Sequence, residues 1–190
     1  MIDINILPSA WIGHRLFANW LVQSLKPETT VDLGVDYGFS LFALAESNIG
    51  QVYGIDTFQG DIHSGHHRDA YDTVVKVLNE NQYTNVNVIV GDFNDIAKVW
   101  DKPIDILHVD GLHTYEAVSN DVRTWSKFLR NENSVMIMHD TIAFPEVKQY
   151  YDEIPLHKFN FTHSAGLGVV SPNKNIIDNV ILFAEQYIPK

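Results

Sequence analysis

Short apolar runs alternate along this chain with stretches in which apolar residues recur every three or four positions. The runs that predict buried strands are residues 30–35, 51–55, 86–90, 104–109 and 134–138. Helical spacing is found in residues 8–25, 39–47, 71–78 and 115–129. This alternation is typical of βαβ units, in which parallel strands form one sheet with helices on both faces.

The pattern changes after the fifth predicted strand. Residues 156–161 and 166–170 are strand-like with a short polar link, which predicts an antiparallel hairpin, and an apolar helix over residues 176–187 follows. We therefore predict one α/β domain over residues 1–190, with a Rossmann-like, doubly wound, mostly parallel sheet of seven strands. Residues 1–28 are predicted to form a helical segment that packs on this domain.

The composition favours a globular protein and narrows its partners. With 24 acidic and 13 basic residues the formal net charge is −11, which repels nucleic acids and anionic membranes. The absence of cysteine excludes disulfides and thiolate sites. No basic and then apolar leader is present, nor an apolar run of the roughly 18 residues that span a bilayer. These features predict a cytoplasmic protein with no nucleic-acid partner and no membrane insertion.

A glycine turn follows the first predicted strand. Gly34 and Gly38 lie four residues apart, and glycine lets the backbone approach a ligand closely. Asp56 ends the next strand, where a carboxylate can accept hydrogen bonds from both hydroxyls of a ribose. Together they predict a nucleotide cofactor site, the alternative being an ordinary strand-to-helix turn. A dinucleotide loop has three glycines, whereas this two-glycine pattern resembles motif I of the class I S-adenosylmethionine (SAM) methyltransferases.

Polar side chains follow the other predicted strands, at the edge of the sheet where ligands bind. Asp92 follows the third strand, Asp110 and His113 the fourth, and His139 and Asp140 the fifth. Asp92 resembles in its position the acidic residue that meets the adenine amino group in SAM enzymes, or it is a turn aspartate. Two carboxylates and an imidazole suit a divalent cation bound by Asp110, His139 and Asp140. Such a cation would make a substrate hydroxyl easier to deprotonate, with Asp110 or His113 accepting the proton.

An alternative remains for this predicted metal site. Asp110 could cap the turn that follows it, while His139 and Asp140 bind backbone donors. Neighbouring strand residues point to opposite faces of a sheet. His139 and Asp140 can therefore share one ion only if the strand bends at His139.

A histidine-rich segment lies between the second and third strands. Residues 60–69 contain His63, His66 and His67, but without cysteine a closed structural zinc site is disfavoured. We predict a lid over the substrate with His63 as its contact, the alternative being a solvated loop. His14, in the opening helix, either faces the same cleft or packs beside Trp11.

Five segments together resemble one class I SAM methyltransferase family, whose domains often accompany bacterial glycosyltransferases in surface-polysaccharide synthesis. They are residues 8–14 (PSAWIGH), 32–34 (DLG), 55–63 (IDTFQGDIH), 107–116 (LHVDGLHTYE) and 139–141 (HDT). The similarity extends from the first helix to residues 166–170, and the DGLHTYE run is its most specific part.

The resemblance implies the class I methyltransferase form of the sheet and a role for each of these positions. The implied SAM-binding residues are Asp32, Gly34, Gly38, Ser40, Asp56, Thr57, Asp92 and Asp110. Asp56 would bind the ribose, and the two glycines would approach the methionyl part. The implied Mg²⁺ ligands are Asp110, His139 and Asp140. In related sugar O-methyltransferases these positions are mostly carboxylates, so His139 departs from the pattern and a metal-free base at His113 or His139 stays open.

These observations lead to a hypothesis of function. The chain is predicted to be a SAM-dependent O-methyltransferase that acts on a hydroxyl of a sugar or another polar small molecule, with Asp110, His113 and His139 as catalytic residues. One alternative is a catalytically silent SAM-binding partner of a glycosyltransferase. Another is an NAD-dependent oxidoreductase, which the missing third glycine disfavours. A homo-oligomer is also open.

Overall fold

One seven-stranded sheet forms the centre of the computed structural model, which describes residues 1–63, 65 and 69–187. The strands are β1 (Thr29–Leu33), β2 (Gln51–Asp56), β3 (Val86–Val90), β4 (Ile106–Val109), β5 (Val135–His139), β6 (His157–Phe161) and β7 (Leu167–Ser171). Their order is β3-β2-β1-β4-β5-β7-β6. The first five pair in parallel, and β7 is antiparallel to β5 and β6. The predicted fold class, including the closing hairpin, is confirmed.

Seven α-helices cover both faces of this sheet within the described part of the chain. They are α1 (Arg15–Leu25), α2 (Phe39–Ala45), α3 (Ala70–Asn81), α4 (Phe93–Ala97), α5 (Tyr115–Trp125), α6 (Pro145–Glu153) and α7 (Lys174–Tyr187). One apolar core lies under α1, α2, α3 and α7, and a second under α4, α5 and α6. In the described ranges no helix has the length and hydropathy needed to cross a membrane.

The opening helix differs from its predicted form. A 3₁₀ helix over Ala10–His14 precedes α1, and the Ser9 side chain caps it by accepting a hydrogen bond from the Trp11 amide at 3.0 Å. Gly13 disfavours a regular α-helix and packs so closely that a Cβ there would lie 2.2 Å from Ser164 Oγ. The tertiary contact therefore decides the local geometry.

Two helices have no counterpart in the predicted pattern, namely α4 and α6. The five residues of α4 are too few to show a helical period, although Asp92 caps it by accepting from the Asn94 amide at 2.8 Å. Pro145 begins α6, at the position where proline favours a helix start. The sequence signal for these two helices is therefore the residue at the helix start, Asp92 or Pro145, and not an apolar period.

The topology places a ligand site beside β1. Its neighbours β2 and β4 are reached by crossovers that leave in opposite directions. In open α/β sheets, ligands bind beyond the carboxyl ends of the strands at such a switch point. The polar residues at the ends of β1, β2, β4 and β5 are thereby brought to one edge.

Candidate active site

A cavity of about 450 Å³ lies at this edge of the sheet. Residues 8–11 form one wall, and Phe144 lies on another side. The predicted site residues among its lining are Gly34, Ser40, Asp56, Thr57, Asp92, Asp110, His113, His139 and Asp140. The sheet therefore gathers nearly all of the predicted residues around one space.

Gly34 forms the floor of the cavity where β1 and β4 end. Its φ is +95°, and a Cβ there would lie 1.9 Å from the carbonyl oxygen of Asp110. Only glycine meets both conditions. Gly38 also has a positive φ, of +87°, but a Cβ there would meet Phe42 at 2.7 Å. Gly38 therefore precedes α2 against the apolar core and is not among the residues that line the cavity, so its approach to a cofactor stays a prediction.

Asp56 ties the end of β2 to the glycine turn. Its Oδ2 accepts hydrogen bonds from the amides of Val35 at 2.8 Å and Asp36 at 2.9 Å, and its Oδ1 accepts from the Phe58 amide at 2.7 Å. A carboxylate offers about four acceptor positions. Capacity remains for a ligand hydroxyl in the cavity that Asp56 lines.

Asp32, a predicted cofactor residue, lies behind the cavity wall. Its side chain is fully buried and does not line the cavity. Its Oδ1 lies 2.5 Å from His108 Nδ1, and its Oδ2 accepts from Ser40 Oγ at 2.8 Å. Trp11 Nε1 donates to His108 Nε2 at 3.1 Å, so the proton of a neutral His108 is on Nδ1 and donates to Asp32.

The sequence pattern did not predict this hydrogen-bonded series of buried side chains. Burial raises the pKa of Asp32, although the hydrogen bonds from His108 and Ser40 oppose that effect. The available signal was a histidine inside an otherwise apolar strand, Ile106–Val109. Asp32 therefore helps to hold Trp11, through His108, and Ser40 at the start of α2 in the positions from which they line the cavity.

The metal ligands predicted from the sequence come together. The strand β5 ends at His139, and Asp140 has a φ of +62°, which is the bend that a shared ion requires. One donor atom from each of Asp110, His139 and Asp140 lies within 4.8 Å of the others. His139 Nδ1 is 3.3 Å from Asp110 Oδ2 and 3.5 Å from Asp140 Oδ2.

The charges in this cluster are strongly coupled. Burial lowers the pKa of His139, but the neighbouring Asp110 and Asp140 outweigh it and raise that pKa to about 10. Burial raises the pKa of Asp110, but His139 and His113 outweigh it and hold that pKa below its usual range. The two carboxylates thus stabilise positive charge between them, which a proton or a metal ion can supply.

His113 forms the side of the cavity next to this cluster. Its Nε2 lies 2.7 Å from Asp140 Oδ2 and 3.5 Å from Asp110 Oδ1. Its ring stacks on Phe144, with centroids 4.2 Å apart and planes inclined by 10°. Burial lowers the pKa of His113, but the two carboxylates outweigh it and raise that pKa to about 9.

The other candidate histidines are now placed. The His63 ring lies 5.6 Å from that of His113 and lines the cavity, whereas His66 and His67 of the predicted lid lie outside the described residues. His14 is fully buried, packs beside Trp11 at 5.4 Å and does not line the cavity. Burial and the neighbouring histidines lower the pKa of His14 to about 3.

The remaining alternatives concern helix caps. Thr114, not Asp110, caps α5, and its Oγ1 accepts from the Ala117 amide at 3.2 Å. Asp92 both caps α4 and lines the cavity. Its two interpretations, as a turn residue and as a ligand contact, are therefore compatible.

Comparison with known proteins gives one family match and many similar folds. A family model described as a methyltransferase domain matches residues 31–141. The uncharacterized protein y4gI of Sinorhizobium fredii is 32% identical in an alignment 183 residues long, which covers 90% of this chain and only 20% of that relative.

Two solved structures illustrate the similarity in fold. The O-methyltransferase TomG from Streptomyces achromogenes, in complex with SAM, has a TM-score of 0.68 at 14% identity, covering 85% of this chain and 81% of that one. The O-methyltransferase from Bacillus cereus, in complex with S-adenosylhomocysteine (SAH), has a TM-score of 0.66 at 16% identity, with 87% and 84% covered.

Proposed function

Because this chain belongs to the methyltransferase domain family, we propose that it transfers the methyl group of SAM to a hydroxyl oxygen of a small polar acceptor, such as a sugar. One observation carries the proposal. A single cavity joins the Gly34 turn and Asp56 to the cluster of Asp110, His113, His139 and Asp140. A cofactor site and a proton-accepting site are thus contiguous.

The cofactor end of the cavity fits SAM. Gly34 lines this end with backbone alone and lets β1 lie directly against the Asp110 carbonyl, and Asp56 keeps acceptor capacity for the ribose hydroxyls. Asp92 would meet the adenine amino group, and Ser40 and Thr57 would complete the contacts. SAM supplies an activated methyl group, so the protein has to position the acceptor in line with it and remove the acceptor's proton.

His113 is the side chain best placed to take that proton. It lines the cavity, and Phe144 and Asp140 fix its ring. Its raised pKa keeps it protonated at neutral pH as long as both neighbouring carboxylates act on it. A cation bound to the same carboxylates would lower the pKa of His113, so that Nε2 could lose its proton and act as the base.

The cluster of Asp110, His139 and Asp140 fits a divalent cation. Among the described residues, His139 Nδ1 is buried without a hydrogen-bond partner and faces both carboxylates. A cation bound there would lower the pKa of an acceptor hydroxyl.

The finer predictions on biology rest on the sequence and on the family resemblance. A sugar acceptor, a role in polysaccharide synthesis, a glycosyltransferase partner, a homo-oligomer and a cytoplasmic location stay predictions. The solved structures bound to SAM or SAH share the fold with this chain, and their ligands support the choice of cofactor.

Calorimetric titration with SAH tests the cofactor assignment. We expect saturable one-site binding, no binding of NAD, and affinity at least about 10-fold weaker in Asp56→Ala, since charge-assisted hydrogen bonds contribute roughly 1.5–3 kcal/mol. The matched control is Asp101→Ala, which removes an exposed aspartate outside the cavity. Unchanged affinity in Asp56→Ala would contradict the proposal.

Methyl transfer to a panel of sugars and phenols tests the chemistry. In His113→Ala, the loss of general-base catalysis should lower kcat by roughly 10²–10⁴-fold while SAH affinity stays the same. The control is His157→Ala, on β6 and outside the cavity. SAH binding without transfer to any acceptor would favour the catalytically silent alternative.

A further inference from the structure

We infer that the cluster of Asp110, His139 and Asp140 selects a first-row divalent transition metal, such as Mn²⁺, over Mg²⁺. The inference rests on the proposed function, which places a cation at this cluster. It goes further by identifying the ion from the donor atoms. Two carboxylate oxygens and one imidazole nitrogen converge within 4.8 Å.

The donor set disfavours Mg²⁺. Mg²⁺ is a hard cation that prefers oxygen ligands and a near-ideal octahedron. An imidazole nitrogen suits first-row transition metals, whose affinity for nitrogen-containing sites rises from Mn²⁺ towards Cu²⁺. A site with His139 among its ligands therefore gains affinity for these ions that it does not gain for Mg²⁺.

The orientation of His139 is fixed by hydrogen bonding on its far side. His139 Nε2 lies 3.0 Å from the carbonyl oxygen of Ser164, to which it donates. Nδ1, which faces the carboxylates, therefore carries the lone pair that a metal ion would bind once it displaces the proton held there. A ligating histidine commonly donates its other N–H to a backbone carbonyl in this way. Since His139 is only 4% exposed, water does not readily satisfy Nδ1.

The turn that carries Ser164 is itself held in place. Ser164, Ala165 and Gly166 all have positive φ, of 48°, 67° and 92°. The Gly166 carbonyl accepts from the Asp140 amide at 3.0 Å, and His14 Nε2 lies 3.2 Å from the Ser164 carbonyl oxygen. The hairpin turn thereby links the positions of His139 and Asp140, the two ligands at the end of β5.

Electron paramagnetic resonance with Mn²⁺ tests this inference on protein stripped of metal with a chelator. We expect one saturable Mn²⁺ site, with Mg²⁺ displacing Mn²⁺ only when Mg²⁺ is in large excess. Electron spin-echo modulation from a coordinated ¹⁴N should show the imidazole directly. This second measurement needs no variant.

Two variants sharpen the experiment. His139→Asp supplies an oxygen donor instead of nitrogen, so the preference for Mn²⁺ over Mg²⁺ should fall several-fold and the ¹⁴N signal should weaken. His157→Ala removes an exposed histidine of β6 and should change neither result. Circular dichroism checks that each variant is folded.

The inference is overturned if Mn²⁺ does not bind at one site, if Mg²⁺ competes equally, or if the wild-type complex shows no ¹⁴N coupling. An unchanged preference in folded His139→Asp would overturn it as well. SAH titration of the same preparations separates the two proposals. SAH binding without selective metal binding overturns this inference alone, whereas loss of SAH binding argues against the proposed function.

Discussion

The hydrogen-bonded chain from Trp11 through His108 to Asp32 shows how single residues set the chemistry of a buried region. All three side chains are at most 1% exposed. Water therefore cannot replace a lost partner, and an unsatisfied buried group carries its full desolvation cost. Trp11 has a double role, because its ring also lines the cavity.

We expect Trp11→Phe to lower the free energy of unfolding by about 1–3 kcal/mol, because His108 Nε2 loses its donor. Urea unfolding measures the change. The matched control is Trp100→Phe, whose indole donates to the Lys102 carbonyl at a partly exposed position, where water can take its place. If the two substitutions lowered the free energy of unfolding equally, the buried hydrogen bond to His108 would contribute no more to stability than an exposed one.

Asp121 on α5 is a buried carboxyl group with little hydrogen bonding. It is 6% exposed, and Asn120 Nδ2 lies 3.5 Å from its Oδ1. Burial, opposed by the Asn120 contact, raises the pKa of Asp121 to about 6. The folded state thus holds this proton more tightly than the unfolded state does, and the corresponding stability is lost as the pH rises through about 6.

We expect Asp121→Asn to raise the free energy of unfolding at pH 7 by roughly 1–3 kcal/mol, since one pKa unit corresponds to about 1.4 kcal/mol. The difference from wild type should shrink as the pH falls from 6 to 4. Urea unfolding across this range measures it, with Asp101→Asn at an exposed site as the control. A difference that does not change with pH would contradict the assigned pKa.

At the scale of elements, the turn between β1 and α2 shows why two glycines of one motif serve different purposes. Gly34 brings β1 against the Asp110 backbone, while Gly38 lets α2 begin with a left-handed residue. The spacing of the two glycines is therefore set by the length of the turn between β1 and α2. Of these two glycines, Gly34 is the one that lines the cavity.

We expect Gly34→Ala to lower the free energy of unfolding by about 3 kcal/mol or more and to abolish SAH binding, because strained φ and a backbone clash add. Gly65→Ala is a control for stability only, because Gly65 also lines the cavity. Gly65 has a positive φ too, of +77°, but among the described residues its Cβ would meet no atom within 4 Å, so only the cost of the left-handed conformation applies, about 1–2 kcal/mol. Thermal unfolding of both variants tests the comparison, and calorimetry of Gly34→Ala tests SAH binding.

At the scale of the whole molecule, the negative charge of the protein bears on which methyl acceptors it can bind. The formal net charge is −11, and within residues 1–63, 65 and 69–187 the cavity is lined by six aspartates and by no lysine or arginine. Nucleic-acid binding depends on neutralising phosphates with such basic groups. The electrostatic field of this protein therefore disfavours a polyanionic acceptor.

We expect no complex with transfer RNA or ribosomal RNA fragments at about 0.15 M salt, where polyanion binding requires several phosphate contacts. Gel mobility at micromolar protein measures this, with a basic RNA-binding protein as positive control. A shift that weakens as salt increases would show that a basic surface outside the cavity overrides the net charge.

The sequence by itself determined the order of strands and helices, the closing hairpin and most of the residues at the cavity. These features follow from local periodicity and from the rule that parallel strands end at a common edge. Asp56, Asp110 and His113 could be identified for that reason. Short or polar helices such as α4 and α6 escaped because local periodicity was too weak there.

Only the tertiary structure decided which polar side chains face the cavity and which support it from below. Asp32 and His108 are 76 residues apart in the chain, and Trp11 and His108 are 97 apart. Ser164 orients His139 from the far hairpin. Such pairings depend on strand register and on packing across the sheet, which no local pattern encodes. Periodicity predicts the helix or strand to which a residue belongs, whereas its side-chain partner depends on how the helices and strands pack together.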